Sequence, residues 1–136
     1  MDVHDKKTRS FNMSRIRSVD TKPEMIVRKF LFSKGFRYRL HAKNLPGKPD
    51  IVLPKFKTVI FVHGCFWHGH RGCKYFVIPK TRTSWWRDKI DKNKANDLKN
   101  MKRLRQDHWK VITIFECELK SSKRDRTLTK LVNRLK

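Results

Sequence analysis

One stretch, Lys57 to Cys73 (KTVIFVHGCFWHGHRGC), does most to limit what this chain can fold into. Thr58 to Val62 is a β-branched and aromatic run of the kind that makes a buried strand, and Gly64 ends it. Everything after that glycine sits at the exit of a rigid strand, where binding and catalytic groups are usually carried. His63, Cys65, Phe66, Trp67, His68, His70 and Cys73 crowd there and bring proton-transfer groups, metal ligands and stacking surfaces together. A strand end with buried thiols and solvated histidines is the bland alternative, and the density of chemistry favours a site.

Within the stretch, Cys65, His70 and Cys73 have the spacing C-x4-H-x2-C, and Cys117 ends a later strand that can run alongside. Three thiolates and one imidazole make a closed tetrahedral zinc site, structural by its ligand count. His68 competes with His70 for the fourth place. Three cysteines, an odd number, argue against a disulfide framework. The opening MDVHDKKTRS lacks the apolar region that export needs, so the expected compartment is the cytoplasm.

The chain's 136 residues carry 35 Lys+Arg against 12 Asp+Glu, a net charge of +23 spread through helix-like stretches. A polyanion partner follows, and nucleic acid fits best, because phosphate neutralisation supplies most non-specific affinity. No long apolar span or lipidation signal points to a membrane. The length suits one domain. Residues 1–19 read as a basic N-terminal arm in which Phe11, Met13 and Ile16 lie among Arg9, Arg15 and Arg17, and residues 20–136 form the domain. Such an arm is either a solvated tail or a segment lying against DNA with an apolar wedge.

The element order reads α-β-β-β-α-β-α, a mixed sheet flanked by helices. Asp20 to Glu24 is a helix start with a capping residue, a proline and an acid, and Gly35 ends that helix. Phe36 to Leu40 alternates like a half-exposed strand. Pro49 to Leu53 and Thr58 to Val62 form a hairpin whose register, centred near Phe56, pairs Leu53 with Val59 and Asp50 with Val62. A long basic helix covers Trp85 to His108, a buried strand Trp109 to Glu116, and a final helix carries Leu128, Leu131, Val132 and Leu135.

Asp50 is the hairpin's only acid. It is therefore the candidate Mg²⁺ ligand, and the adjacent Val62 carbonyl can be a second, since Mg²⁺ needs only one or two protein oxygens. His63 and His68 flank that point and can activate water or stabilise charge. Phe66, Trp67 and Trp86 are large aromatics nearby, either core or wedges for an easily unstacked base step.

The stretches TRSFNMSRIRSVDTKPE, LPGKPDIVLP, VIFVHGCFWHGH and TRTSWW resemble the very-short-patch-repair (Vsr) DNA mismatch endonucleases, in the same order and over almost the whole chain. The resemblance implies a restriction-endonuclease-like fold in which Asp50 and the Val62 main-chain carbonyl hold catalytic Mg²⁺. Phe61-Val62-His63 stands where that fold places Glu-x-Lys. It further implies His68 as general base supported by Glu24, His63 at the scissile phosphate, and zinc on Cys65, His70, Cys73 and Cys117. Phe66, Trp67 and Trp86 would enter beside a T:G pair, with Met13 from the other groove. The nick would fall 5′ to the thymine that deamination of 5-methylcytosine leaves. Two positions depart from the pattern: Val62 stands where members often have Thr, and the spacing from His70 to Cys73 is one residue longer than in some relatives.

The resemblance thus implies a monomeric bacterial enzyme acting on double-stranded DNA with a T:G mismatch, with mismatch-repair factors and a repair polymerase as candidate downstream partners. A non-catalytic zinc-stabilised nucleic-acid-binding module explains the charge and cysteines equally well, but not Asp50 facing two histidines. An RNA-binding structural protein explains only the charge.

Overall fold

A computed structural model describes residues 21–74 and 76–135. The arm expected over residues 1–19, with Met13, lies outside the described residues, as does Asp20. Helix α1 spans Lys22–Ser33. Its N-cap is Thr21, whose hydroxyl accepts the Glu24 N–H at 3.4 Å, and Gly35 beyond its end takes φ +88°. Strands β1 (Arg39–Leu40), β2 (Ile51–Leu53) and β3 (Thr58–His63) follow, then the long helix α2 (Thr83–Gln106), strand β4 (Lys110–Phe115) and helix α3 (Arg124–Leu135). Among the described residues the expected element order is the order found.

The strands form one sheet in the order β1-β2-β3-β4, with β1·β2 and β2·β3 antiparallel and β3·β4 parallel. A parallel neighbour needs a long crossover, which the loop after β3 and helix α2 provide. Alternation along the strands divides the core between the two faces. Ile51, Leu53, Ile60, Ile112 and Ile114 pack with Val27 and Leu31 of α1 and with Leu128, Leu131 and Leu135 of α3. Val52, Val59, Phe61 and Val111 pack with Leu104 of α2. His63 continues the Val59, Phe61 series and so belongs to the α2 face, a placement that decides its chemistry.

Three sequence expectations are corrected. The hairpin register pairs Ile51 with Ile60, Val52 with Val59 and Leu53 with Thr58, one residue from the expected pairing. A centre at Phe56 needs an odd number of connecting residues. The chain instead uses a 3-10 turn, Pro54–Phe56, plus Lys57 in the left-handed conformation at φ 50°. The first strand is only Arg39–Leu40, because Phe36 and Tyr38 turn into the core and the Tyr38 hydroxyl donates to the Arg28 carbonyl. Helix α2 starts and ends two residues earlier than expected, stopped by His108 at φ 68° and by the Trp109 N–H folding back to Leu104 O. No helix among the described residues is long and apolar enough to cross a membrane.

Candidate active site and metal centre

Where β2 begins and β3 ends, a cleft of about 940 Å³ opens between the sheet, α2 and the start of α1, with Asp50, Val62, His63, Trp67 and His68 in its wall. Asp50 Oδ2 accepts the Val62 N–H at 2.8 Å. An extended residue sends its N–H and C=O to the same edge of the strand, so the Val62 carbonyl also leaves on the Asp50 side. The expected neighbourhood of carboxylate and backbone therefore survives the register change. Burial pushes the Asp50 pKa up to about 6; the Val62 hydrogen bond opposes this and nearby Glu24 reinforces it. A buried carboxylate beside a second acid is a place where a divalent cation fits, because the cation neutralises negative charge that burial disfavours.

His63 and His68 lie face to face, ring centroids 3.7 Å apart and 4° from parallel. His68 Nδ1 bonds Asp97 Oδ2 of α2 at 2.7 Å. With Asp97 ionised the shared proton sits on Nδ1, which leaves Nε2 as the basic nitrogen. Burial, helped by His68, pushes His63 down to about 4, so it is neutral at physiological pH. Its ring also meets Phe61 and, edge-on, Phe115.

Glu24, which the resemblance puts behind His68, is 1 % exposed and holds two other side chains. Its Oε2 takes His41 Nε2 at 2.9 Å and the Arg28 guanidinium at 3.2 Å. Glu24, His41 and Asp50 each bring a ligand atom within 4.8 Å of the others. Asp97 is the acid bonded to His68. Glu24 instead adds negative charge beside Asp50, because the N-cap at Thr21 fixes α1 with its first turn facing β1 and the loop after it.

The loop after β3 gathers a second group. Cys65, His70, Cys73 and Cys117 bring their ligand atoms within 4.8 Å of one another, with Cys117 delivered by the 3-10 turn Glu116–Leu119 that follows β4. His70 stacks on Phe115 at 3.8 Å, and its Nδ1 lies 3.3 Å from Cys117 Sγ. The Cys117 N–H donates to Cys65 Sγ at 3.4 Å, the kind of contact that supports a metal thiolate. Burial raises the Cys65 and Cys117 thiol pKa values. Sulfurs so crowded ionise together only around a cation, and the spread of ligand atoms suits a tetrahedral ion with metal–sulfur bonds of about 2.3 Å. His70, not His68, is the imidazole of this group. Gly69 between them is required: at φ +58° a Cβ would come within 2.8 Å of Ile90 and Lys94 on α2.

Phe66, Trp67 and Trp86 cluster at one side of the cleft, with centroid separations of 5.2, 5.3 and 5.8 Å. Asn93 Nδ2 donates to the Trp67 carbonyl at 2.9 Å and pins the loop to α2.

Residues 1–74 match the family described as DNA mismatch endonuclease Vsr. The type II nicking enzyme V.NmeAIP of Neisseria meningitidis serogroup A is 51 % identical over 137 residues, covering 99 % of this chain and 96 % of that protein. The DNA mismatch endonuclease Vsr of Escherichia coli is 42 % identical over 130 residues, covering 94 % and 83 %. The type II nicking enzyme V.XorIIP of Xanthomonas oryzae is 48 % identical over 111 residues, covering 82 % and 81 %. The chain belongs to the Vsr family.

Besides the expected family residues, the cleft of this Vsr member holds Asp97, His41 and Asn93, which the sequence reading did not select. Asp97 had a visible signal. Trp86, Ile90, Asn93 and Asp97 share one stripe of α2, and an acid on the inward stripe of a helix needs a buried partner. His41 had none, because only the fold brings its loop beside Glu24.

Proposed function

We propose that the chain is a strand-specific, Mg²⁺-dependent endonuclease that nicks duplex DNA 5′ to the thymine of a T:G mismatch and so starts very short patch repair. The proposal includes a restriction-endonuclease-like fold and a structural zinc on Cys65, His70, Cys73 and Cys117. The observation that carries it is the convergence in one cleft of Asp50 bonded to the Val62 backbone with His68 bonded to Asp97.

In this reading Asp50 and the Val62 carbonyl hold the Mg²⁺, which when bound supplies neutralisation of the charge that builds on the phosphate. His68 Nε2 takes the proton of the attacking water, while Asp97 holds the ring and stabilises the imidazolium that forms. His63, neutral before DNA arrives, is an N–H donor to the phosphate rather than a fixed cation. Glu24, anchored by His41 and Arg28, deepens the negative field that attracts the metal. Phe66, Trp67 and Trp86 present the edge that enters the weakly stacked mismatch step. The V.NmeAIP and Escherichia coli relatives, named as a nicking enzyme and a mismatch endonuclease, support strand nicking here.

The test is nicking of a T:G duplex beside its T:A control, with and without Mg²⁺. Asp50→Ala is expected to lower the rate at least about 10³-fold while keeping T:G binding, because it removes a ligand and also a charge repelled by phosphate. Near wild-type nicking by this variant would sink the metal assignment.

A further inference from the structure

We propose that Trp85, Arg82 and Lys89 form a subsite for the sugar–phosphate backbone of one DNA strand, separate from the aromatic wedge and indifferent to the mismatch. The proposal rests on the DNA reading above. Trp85, in the first turn of α2, is 44 % exposed and is one of four large apolar side chains left in water among the described residues. Its ring is bracketed by cations, with the Arg82 guanidinium 4.7 Å and Lys89 Nζ 6.0 Å from the centroid. Neither cation forms an ion pair with a carboxylate among the described residues. Arg82 sits in the left-handed region at φ 56°. An exposed aromatic face between two uncommitted charges suits a ligand that is apolar on one side and anionic at its edges.

Orientation decides which part of DNA that is. The Trp85 and Trp86 centroids are 4.7 Å apart and their planes stand at 87°. Trp86 packs with Phe66 and Trp67, the wedge that the proposed function inserts between bases. Phe66, Trp67 and Trp86 stand at 73°, 64° and 54° to one another, so one ring of the wedge stacks at a time, and with Trp86 as that ring Trp85 stands perpendicular to the nearly parallel base pairs. A perpendicular ring cannot stack in the same helix. It faces the groove wall, where deoxyribose carbons pack on the ring and phosphates meet Arg82 and Lys89. Lys89 also lines the cleft that holds Asp50 and His68, so the gripped strand continues toward the reacting phosphate.

The test measures affinity for T:G and T:A duplexes at fixed salt. Trp85→Ala is expected to weaken both by the same factor, about three- to ten-fold, and Trp85→Phe to restore most of it. Arg82→Gln and Lys89→Gln are each expected to lower the salt-dependence slope by about one. Methylphosphonate scanning should find one or two phosphates whose neutralisation weakens the wild type but not Arg82→Gln, while abasic substitution beside them changes nothing. Unchanged affinity in a folded, zinc-loaded Trp85→Ala variant overturns the subsite. So does a loss confined to T:G, or one that an abasic nucleotide erases, since either makes Trp85 a base reader. Failure of the wild type to prefer T:G overturns the endonuclease reading alone, because the T:A measurements still judge the subsite, and no DNA binding at all overturns both.

Discussion

Asp50 and Asp97 are two acids in one cleft to which the proposed function gives opposite tasks, and their surroundings separate them. Asp50 is buried and its pKa stands at about 6 against the usual 3.8, so the fold favours its neutral form. Folded stability without Mg²⁺ therefore falls as pH rises from 3.8 through about 6, and stays at the lower level above that. Asp50→Asn keeps an acceptor for the Val62 N–H but never charges. In Mg²⁺-free buffer at pH 8 it should be more stable than the wild type by about 1–3 kcal/mol. That advantage should shrink below pH 6 and vanish near pH 4. Melting curves across that range check this, and an Asn variant that is less stable at pH 8 would remove the argument. In the proposed function Asp97, by contrast, acts through His68, which it bonds. Asp97→Asn should leave DNA affinity near wild type and cut the nicking rate about 10²- to 10⁴-fold, as loss of an orienting acid does elsewhere. A fall in affinity with the single-turnover rate intact would show that Asp97 serves packing instead.

At the scale of elements, the crossover between β3 and α2 is nearly all loop, and such a loop is fixed only by what it binds. Gly69 against Ile90 and Lys94, Asn93 on the Trp67 carbonyl, and the Cys/His group all fasten it to α2 and β4. Cys117 closes the longest of these links, 52 residues from Cys65. Cys117→Ser should purify without the zinc proposed for this group and melt at least about 10 °C lower, because a structural ion contributes its binding energy to folding. Nicking should fall as a consequence. Metal analysis finding no zinc in the wild type would end this account. The order of elements could be read from sequence because each has one strong period or cap: the run at Thr58, the Thr21 start, the leucines of α3. The hairpin register could not, since it turns on whether Lys57 adopts a left-handed conformation. The link from His68 to Asp97 was equally hidden, because it joins residues 29 apart that only the packing of α2 on the sheet brings together.

At the scale of the whole molecule, the proposed function keeps two kinds of DNA recognition apart. The net charge of +23 gives an attraction for any duplex that weakens steeply with salt and carries no information about mismatches. Selection has to come from a small uncharged feature, and the Phe66, Trp67, Trp86 cluster beside the cleft is where the proposed function puts it. Trp67 is its most exacting member, since it lines the cleft itself and its carbonyl is held by Asn93. Trp67→Ala removes a stacking surface worth roughly 1–3 kcal/mol and leaves the basic side chains in place. The ratio of T:G to T:A affinity should therefore fall about ten-fold or more at fixed salt, while affinity for the matched duplex and its salt slope stay near wild type. This is the opposite pattern to Trp85→Ala, which should weaken both duplexes equally, so the two variants measured side by side separate mismatch reading from backbone grip. A Trp67→Ala variant that is folded, zinc-loaded and as selective as the wild type would make Trp67 a packing residue and leave Phe66 and Trp86 to carry discrimination.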